Sequence, residues 1–432
     1  MKSGCETMNG IPLPEGIQTR FFTLEHGALK TVPQILREFF GGRRPWIVAD
    51  ENTFAAAGAE TYEICQSAGL DPHEPFLFKG KEHLPPDYEL SVMLERNMPD
   101  SAVPTAVGSG VINDLVKCAA GIRDTPYLCV PTAASVDGYT SSGGAMLVRN
   151  YKKTVPCRAP LAIAADLTVL ENAPEQMTAS GYGDLLTKVV AGADWIIADQ
   201  LGIEKIAPEI WALVQKNLRS WIQDSRNLKN IFLGLAATGY AMQLYHDSRP
   251  ASGAEHLASH IWEMEELTLH GEEVSHGFKV SLGTLGSARL HHFILNTPLK
   301  KAKDYARKVL TCEERNAEVD ALLERGCYGD EPRKLAMEKT LYGNDAEARR
   351  EWIWNHWESL QTRLAAKLLS MEELAELLRK AGCPTRPEEI GLSREQFVHG
   401  FRAAQLIRKR YTVTDLLYEA GLLDAALDTF PV

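Results

Sequence analysis

The sequence predicts an α/β N-terminal nucleotide-binding domain with a mostly parallel sheet, followed by an all-α C-terminal domain. Three observations carry that expectation. Up to about residue 172, short apolar runs alternate with helical patterns, as successive βαβ units require. From residue 173 helical periodicity dominates to the end. The chain is 432 residues long, and single cores stop growing well before that length, so two domains are expected, 1–172 and 173–432.

Taken in order, Pro45-Trp46-Ile47-Val48-Ala49-Asp50 reads as a buried strand and residues 53–68 as the helix after it. Pro75-Phe76-Leu77-Phe78 is a second strand, and Ala102-Val103-Pro104-Thr105-Ala106-Val107 a third. Pro104 argues against the third, because proline gives no N–H to a ladder. Tyr127-Leu128-Cys129-Val130 and Leu161-Ala162-Ile163-Ala164-Ala165 are the fourth and fifth. Gly143–Val148 and residues 152–157 suit a hairpin inserted before the last of these. In the second half, helices are expected over 346–368, 371–381 and 393–410. Pro384, Pro387 and Gly391 break the last two apart.

The chain is 45% hydrophobic and 24% charged, with a formal net charge of -11. That balance argues against a nucleic-acid partner, since phosphate backbones call for a basic surface. A small anionic substrate needs only a local cationic pocket. Cys5, Cys65, Cys118, Cys129, Cys157, Cys312, Cys327 and Cys383 form no CxxC, so neither a disulfide framework nor a zinc knuckle is expected; they read as free thiols. Residues 1–18 lack an apolar core of signal-peptide length. No apolar run approaches the roughly 18 residues of a membrane span. The expected compartment is the cytoplasm.

Four stretches can carry chemistry. Gly108-Ser109-Gly110 follows a strand and opens a helix, where backbone amides can approach a pyrophosphate. The spacing is not GxGxxG, and plain turn chemistry explains it equally. Asp50, at a strand end, can accept hydrogen bonds from a ribose or cap the next helix. The loop Pro131-Thr132-Ala133-Ala134-Ser135-Val136-Asp137-Gly138-Tyr139-Thr140-Ser141 is dense in hydroxyls, suited to phosphate, ribose or polyol; Asp137-Gly138 also suits any turn. In Ser180-Gly181-Tyr182-Gly183-Asp184 the glycines weaken a helix by about 1 kcal/mol each relative to alanine. Either something approaches closely there, or the helix starts later, with Asp184 near its N-terminus.

The fourth stretch is Ser248-Arg249-Pro250-Ala251-Ser252-Gly253-Ala254-Glu255-His256-Leu257-Ala258-Ser259-His260. His256 and His260 are four apart and share one helical face. His270 follows after room for a turn. With Asp184 as an oxygen ligand, the set is a carboxylate and two or three imidazoles, an open site for zinc, iron or nickel. An accidental histidine pair is the competing reading.

With these residues in view, the chain resembles the sn-glycerol-1-phosphate dehydrogenases, in the superfamily of iron-containing alcohol dehydrogenases, glycerol dehydrogenase and dehydroquinate synthase. The stretches that carry the likeness are residues 131–138, 181–186, 248–260 and 270–274, with Val48-Ala49-Asp50-Glu51-Asn52-Thr53 and Arg408-Lys409-Arg410-Tyr411-Thr412. The resemblance implies a dehydroquinate synthase-like fold. It implies that Asp184, His256 and His270 bind one divalent metal and that Asp137 and His260 lie at the substrate. Gly108, Gly110, Asp114, Thr132, Ser135 and Ser141 then contact NAD or NADP. The family's glycine turn is usually GGG-like, and Ser109 departs from it. His276 matches no ligand of the family. A homodimer is the family's expectation.

The implied reaction interconverts glycerol 1-phosphate and dihydroxyacetone phosphate. Asp137 holds a substrate hydroxyl, and His260 relays the proton or only orients His256. Arg249 is the candidate phosphate contact, against a structural ion pair. The alternatives are a glycerol dehydrogenase-like polyol oxidoreductase, a dehydroquinate synthase-like cyclase, and a noncatalytic protein that keeps the fold.

Overall fold

The computed structural model describes residues 13–80, 84–149, 151–326, 328 and 330–431. Cys5, Cys327 and residues 1–12 lie outside them. The chain forms two compact units, Met1–Leu185 with Lys216–Ser248, and Leu186–Gln215 with Arg249–Val432.

The first unit is built on a six-stranded sheet. Its strands are β1 (Phe21–Glu25), β2 (Pro45–Asp50), β3 (Phe76–Phe78), β4 (Val103–Gly108), β5 (Leu128–Pro131) and β8 (Ala162–Asp166), in the order β1-β8-β5-β4-β2-β3. Every pairing in it is parallel. β4, β5 and β8 are buried at every position, because helices cover both faces of such a sheet. Pro104 is accommodated inside β4: it lies opposite Trp46 of β2, while β5 joins β4 only from Thr105. At the proline the strand is therefore paired on one side only. β6 (Gly143–Val148) and β7 (Tyr151–Pro156) form the inserted antiparallel hairpin.

The parallel direction sets the function of this unit. Asp50, Gly108 and Pro131 end β2, β4 and β5, so the residues that follow them share the carboxyl edge of the sheet. That edge is where ligands bind in open α/β sheets. The Leu228–Tyr245 helix also belongs to this unit. The Ala236 carbonyl accepts the Thr140 hydroxyl at 2.7 Å and anchors the loop beyond β5.

The second unit is helical apart from β9 (Thr268–Leu269) and β10 (Glu272–Glu273). Trp262, Trp354, Trp357, Phe397 and Phe401 fill its core around the long His276–Asn296 helix. The helix expected over 346–368 is two, Gly343–Asn355 and Trp357–Ala365, separated at His356. The one expected over 393–410 ends at Ala404. Among the described residues, no helix is long and apolar enough to cross a membrane.

Candidate metal and cofactor site

The His256 helix, Ala254–Met264, is held at its start by two buried carboxylates. Asp194 Oδ2 accepts the Ala254 N–H at 2.7 Å. Its Oδ1 accepts the Val413 N–H at 2.8 Å and lies 3.0 Å from His291 Nε2. Glu255 Oε1 accepts the Gly253 N–H at 2.6 Å and lies 2.9 Å from His256 Nδ1. Acidic groups at a helix N-terminus also complement its dipole. His276 opens the next long helix, one residue after its Ser275 N-cap.

Within the second unit, His256 and His276 come together, their ring centroids 5.3 Å apart. Two imidazoles at that separation fit a divalent transition metal, with positions left open for oxygen ligands. Three carboxylate contacts aim the rings. His256 Nδ1 faces Glu255. His260 Nδ1 and His276 Nδ1 face the two oxygens of Glu263 at 3.0 and 3.5 Å. Lys279 Nζ stands 2.9 Å from the same carboxylate. With Nδ1 given to a carboxylate, each ring offers Nε2, the usual arrangement of metal-bound histidines. His260, half-buried one turn beyond His256, is 6.3 Å from the His276 ring.

Two expectations are corrected here. His270 is exposed at the tip of the β9–β10 hairpin, with a φ of 55° beside Gly271 at 86°, the signature of a two-residue hairpin turn. It is outside the cluster, and His276 stands where it was expected. Arg249 is fully buried. Its Nη1 and Nη2 donate to the carbonyls of Tyr411 and Asp194, both at 2.9 Å, and its Nε is 3.3 Å from Glu204. It is a structural ion pair rather than a phosphate contact.

Asp184 is fully buried in the last turn of the Glu175–Leu186 helix. The helix thus starts earlier than the glycines suggested, and Gly181 lies inside it for a packing reason. A Cβ there would run into the Ala134 carbonyl of the hydroxyl-rich loop. The same approach lets Asp184 Oδ2 accept the Asp137 N–H at 2.9 Å, so Asp137 and Asp184 are neighbours.

On the cofactor side, no side chain caps the Gly110–Ile122 helix at Ser109. The turn before it lies against the loop after β5, where the Thr132 N–H donates to the Gly108 carbonyl at 3.0 Å. A Cβ on Gly110 would stand 2.7 Å from Val136. Ser135 Oγ lies 3.2 Å from the Tyr139 hydroxyl. Asp50 caps the turn after β2, its Oδ1 accepting the Thr53 N–H at 2.7 Å.

Asp114 and Ser141 are bound to a residue that sequence reasoning missed. Lys117 is fully buried, with Nζ 2.8 Å from Asp114 Oδ1, 2.7 Å from the Gly138 carbonyl, 3.1 Å from Ser141 Oγ and 3.0 Å from the Gly143 carbonyl. Burial alone would depress its pKa, but the Asp114 charge and hydrogen bond outweigh that and hold it above the ordinary lysine value. The visible signal was a lysine between Val116 and Cys118, one turn after Asp114, on a helix whose remaining residues are apolar or small apart from Asn113. The signal for His276 was the serine before it, an N-cap opening a new helix.

The iron-containing alcohol dehydrogenase family model matches residues 23–174. The chain is 31% identical to the glycerol-1-phosphate dehydrogenase (NAD(P)+) of Bacillus subtilis, over 76% of this chain and 73% of that one. It is 33% identical to the enzyme of the same name from Halalkalibacterium halodurans, over 61% and 68%. The solved alcohol dehydrogenase of Oenococcus oeni superposes with a TM-score of 0.56 at 15% identity, covering 95% and 98%. The glycerol dehydrogenase of Schizosaccharomyces pombe gives 0.55 at 16%, covering 95% and 90%. The fold and the relatives together define an NAD(P)-dependent oxidoreductase of the iron-containing alcohol dehydrogenase class. Within that class, the chain belongs to the glycerol-1-phosphate dehydrogenase family.

Proposed function

We propose that this enzyme interconverts sn-glycerol 1-phosphate and dihydroxyacetone phosphate, with NAD or NADP as the hydride partner and one divalent ion, zinc, iron or nickel, held by Asp184, His256 and His276. The observation that carries the reading is the approach of the His256 and His276 rings, each with Nδ1 turned to a carboxylate, in a chain whose relatives bear the glycerol-1-phosphate dehydrogenase name. Lewis acidity at the substrate's secondary oxygen is what such an ion supplies, lowering the hydroxyl pKa in one direction and polarising the ketone in the other.

The chain's own residues do the rest. Glu255 and Glu263 fix the orientation of the imidazoles through Nδ1. The Asp137 N–H holds the Asp184 carboxylate in place, and the Asp137 side chain binds a substrate hydroxyl. His260, its Nδ1 turned to Glu263, takes or gives the substrate proton at Nε2. The amides at the start of the Gly110–Ile122 helix bind the cofactor pyrophosphate, with Thr132 and Ser135 lining its path and Asp50 at the ribose. Asp114 and Ser141 act through Lys117, by shaping the loop.

The test is absorbance at the NAD(P)H band with both glycerol phosphate enantiomers and with glycerol, on metal-stripped protein reloaded with zinc, iron or nickel separately. Turnover of the 1-phosphate with at least one metal is expected. Turnover of glycerol alone, or phosphate release from a heptulosonate without net NAD(P)H, would overturn the assignment.

A further inference from the structure

Cys118, in the Gly110–Ile122 helix, and Cys157, directly after β7, bring their Sγ atoms to 2.6 Å across 39 residues of chain. That is well inside the contact distance of unbonded sulfurs and close to the ~2.05 Å of a disulfide. The surroundings are shaped around the pair. A Cβ on Gly144 of β6 would stand 2.8 Å from Cys118 Sγ and 3.4 Å from Cys157 Sγ. A Cβ on Gly121, one turn beyond Cys118, would stand 3.4 Å from the Cys157 Cα and the Arg158 nitrogen. The two glycines let strand and chain lie directly on the helix where the sulfurs meet. The backbone is tied in register as well: the Cys157 N–H donates to the Ser142 carbonyl at 2.8 Å.

We propose that Cys118 and Cys157 form a reversible thiol–disulfide modification site, closed by a low-molecular-weight disulfide, and that closing it pins the β6–β7 hairpin to the helix beside Lys117. The two thiols are unequal, as such chemistry requires. Cys157 is half-buried and Cys118 buried. The hydrogen bond from Cys118 and the nearby Lys117 charge bring the Cys157 thiol below its ordinary pKa in spite of burial. That same pairing, with burial, pushes Cys118 far up.

Cys157 thiolate attacks one sulfur of the small disulfide. The S–S bond breaks, one small thiolate leaves and takes up a proton, and a mixed disulfide remains on Cys157. Cys118, losing its proton to solvent, attacks Cys157 Sγ and expels the second small thiol. Two protein thiols are oxidised and one small disulfide is reduced to two thiols. Lys117 adjoins Cys118 in the helix, and Gly143, whose carbonyl accepts from Lys117 Nζ, pairs with Pro156 next to Cys157, so the closed form stiffens the loop that Lys117 organises.

The test uses the full chain and oxidised glutathione, with peptide mapping under non-reducing conditions and amide exchange. Expected are loss of two thiols, no retained glutathione, a Cys118–Cys157 cross-linked peptide, reversal by dithiothreitol, and slower exchange over residues 143–156. Cys118→Ser should stop at a glutathione adduct on Cys157. Wild-type protein that keeps both thiols, holds the adduct without cross-linking, or cross-links a different pair overturns the proposal. Unchanged exchange in cross-linked protein overturns the stiffening.

Discussion

Replacing Lys117 with methionine keeps the length of the stem and removes only the charge and its donors. The magnitude follows from the geometry. Nζ lies near four oxygens, one of them a carboxylate oxygen 2.8 Å away. The lysine side chain is 0% exposed and Asp114 16%. Breaking a buried pair by deleting one partner costs about 3–5 kcal/mol. Because Asp114 keeps some solvent and the Ala145 N–H at 3.3 Å, the lower end applies, about 3 kcal/mol, or roughly a hundredfold in the equilibrium. Two compact units make a single global transition an unsafe measure. Amide exchange over residues 110–148 reads the local cost directly, and dinucleotide binding by titration reads the loop. A loss under about 1 kcal/mol, the behaviour of an exposed pair, would refute the account of Lys117 as the organiser of that loop. The pH dependence has a definite sign. The folded pKa is raised above the ordinary 10.5, so the contribution is complete below that value and disappears as pH rises through the folded one. Wild type should therefore lose protection in this segment in alkali, and the methionine variant should not change there.

His276→Ala should abolish metal retention and turnover together, while His270→Ala leaves both near wild type; elemental analysis of purified protein reads the difference, and the opposite pattern would return the ligand role to His270. Glu263→Gln should weaken metal affinity or activity by about 10–100-fold, as loss of a ring-orienting carboxylate does, measured by competition with a chelator; unchanged affinity would show that Glu263 does not orient the His276 ring for the ion. Gly181→Ala should cost at least about 1–3 kcal/mol, the usual range for overpacking, seen as a lowered melting temperature; an unaffected melt would mean the loop at Ala134 moves freely. Arg249→Lys should lower the melting temperature without a selective rise in KM for the phosphorylated substrate, and a KM effect alone would restore a phosphate role.

Much of the first unit was legible because its strands are buried on both faces and read as short continuous apolar runs. Pro45–Asp50 and the Gly143–Val148 arm of the hairpin coincide with the expected bounds. β1 was not legible. Its sequence Phe-Phe-Thr-Leu-Glu is five residues long, and only pairing with β8, more than a hundred residues later, makes it a strand. The helix over 175–186 shows the opposite failure, since local propensity disfavours Gly181 and Gly183 while tertiary packing demands the small residue. The candidate site was readable as residue types but not as partners. His270 and His276 are both histidines near the same motif, and hairpin geometry separates them. Arg249 carries a charge suited to phosphate, yet its surroundings come from residues 194, 204 and 411, which no local pattern reveals.

Asp194 has a consequence for how the enzyme is made. One carboxylate receives the first amide of the His256 helix and the amide of Val413, 219 residues beyond it in sequence. During synthesis, the chain emerges from the N-terminus and domains fold as they appear. Both histidines of the cluster are out long before residue 413, but the anchor that orients the first of them is incomplete until then. A ribosome that stops short of Val413 releases a polypeptide with every candidate ligand and cofactor residue in its sequence and no finished cradle for the ion. Quality control of this enzyme is in that sense tied to the arrival of Val413.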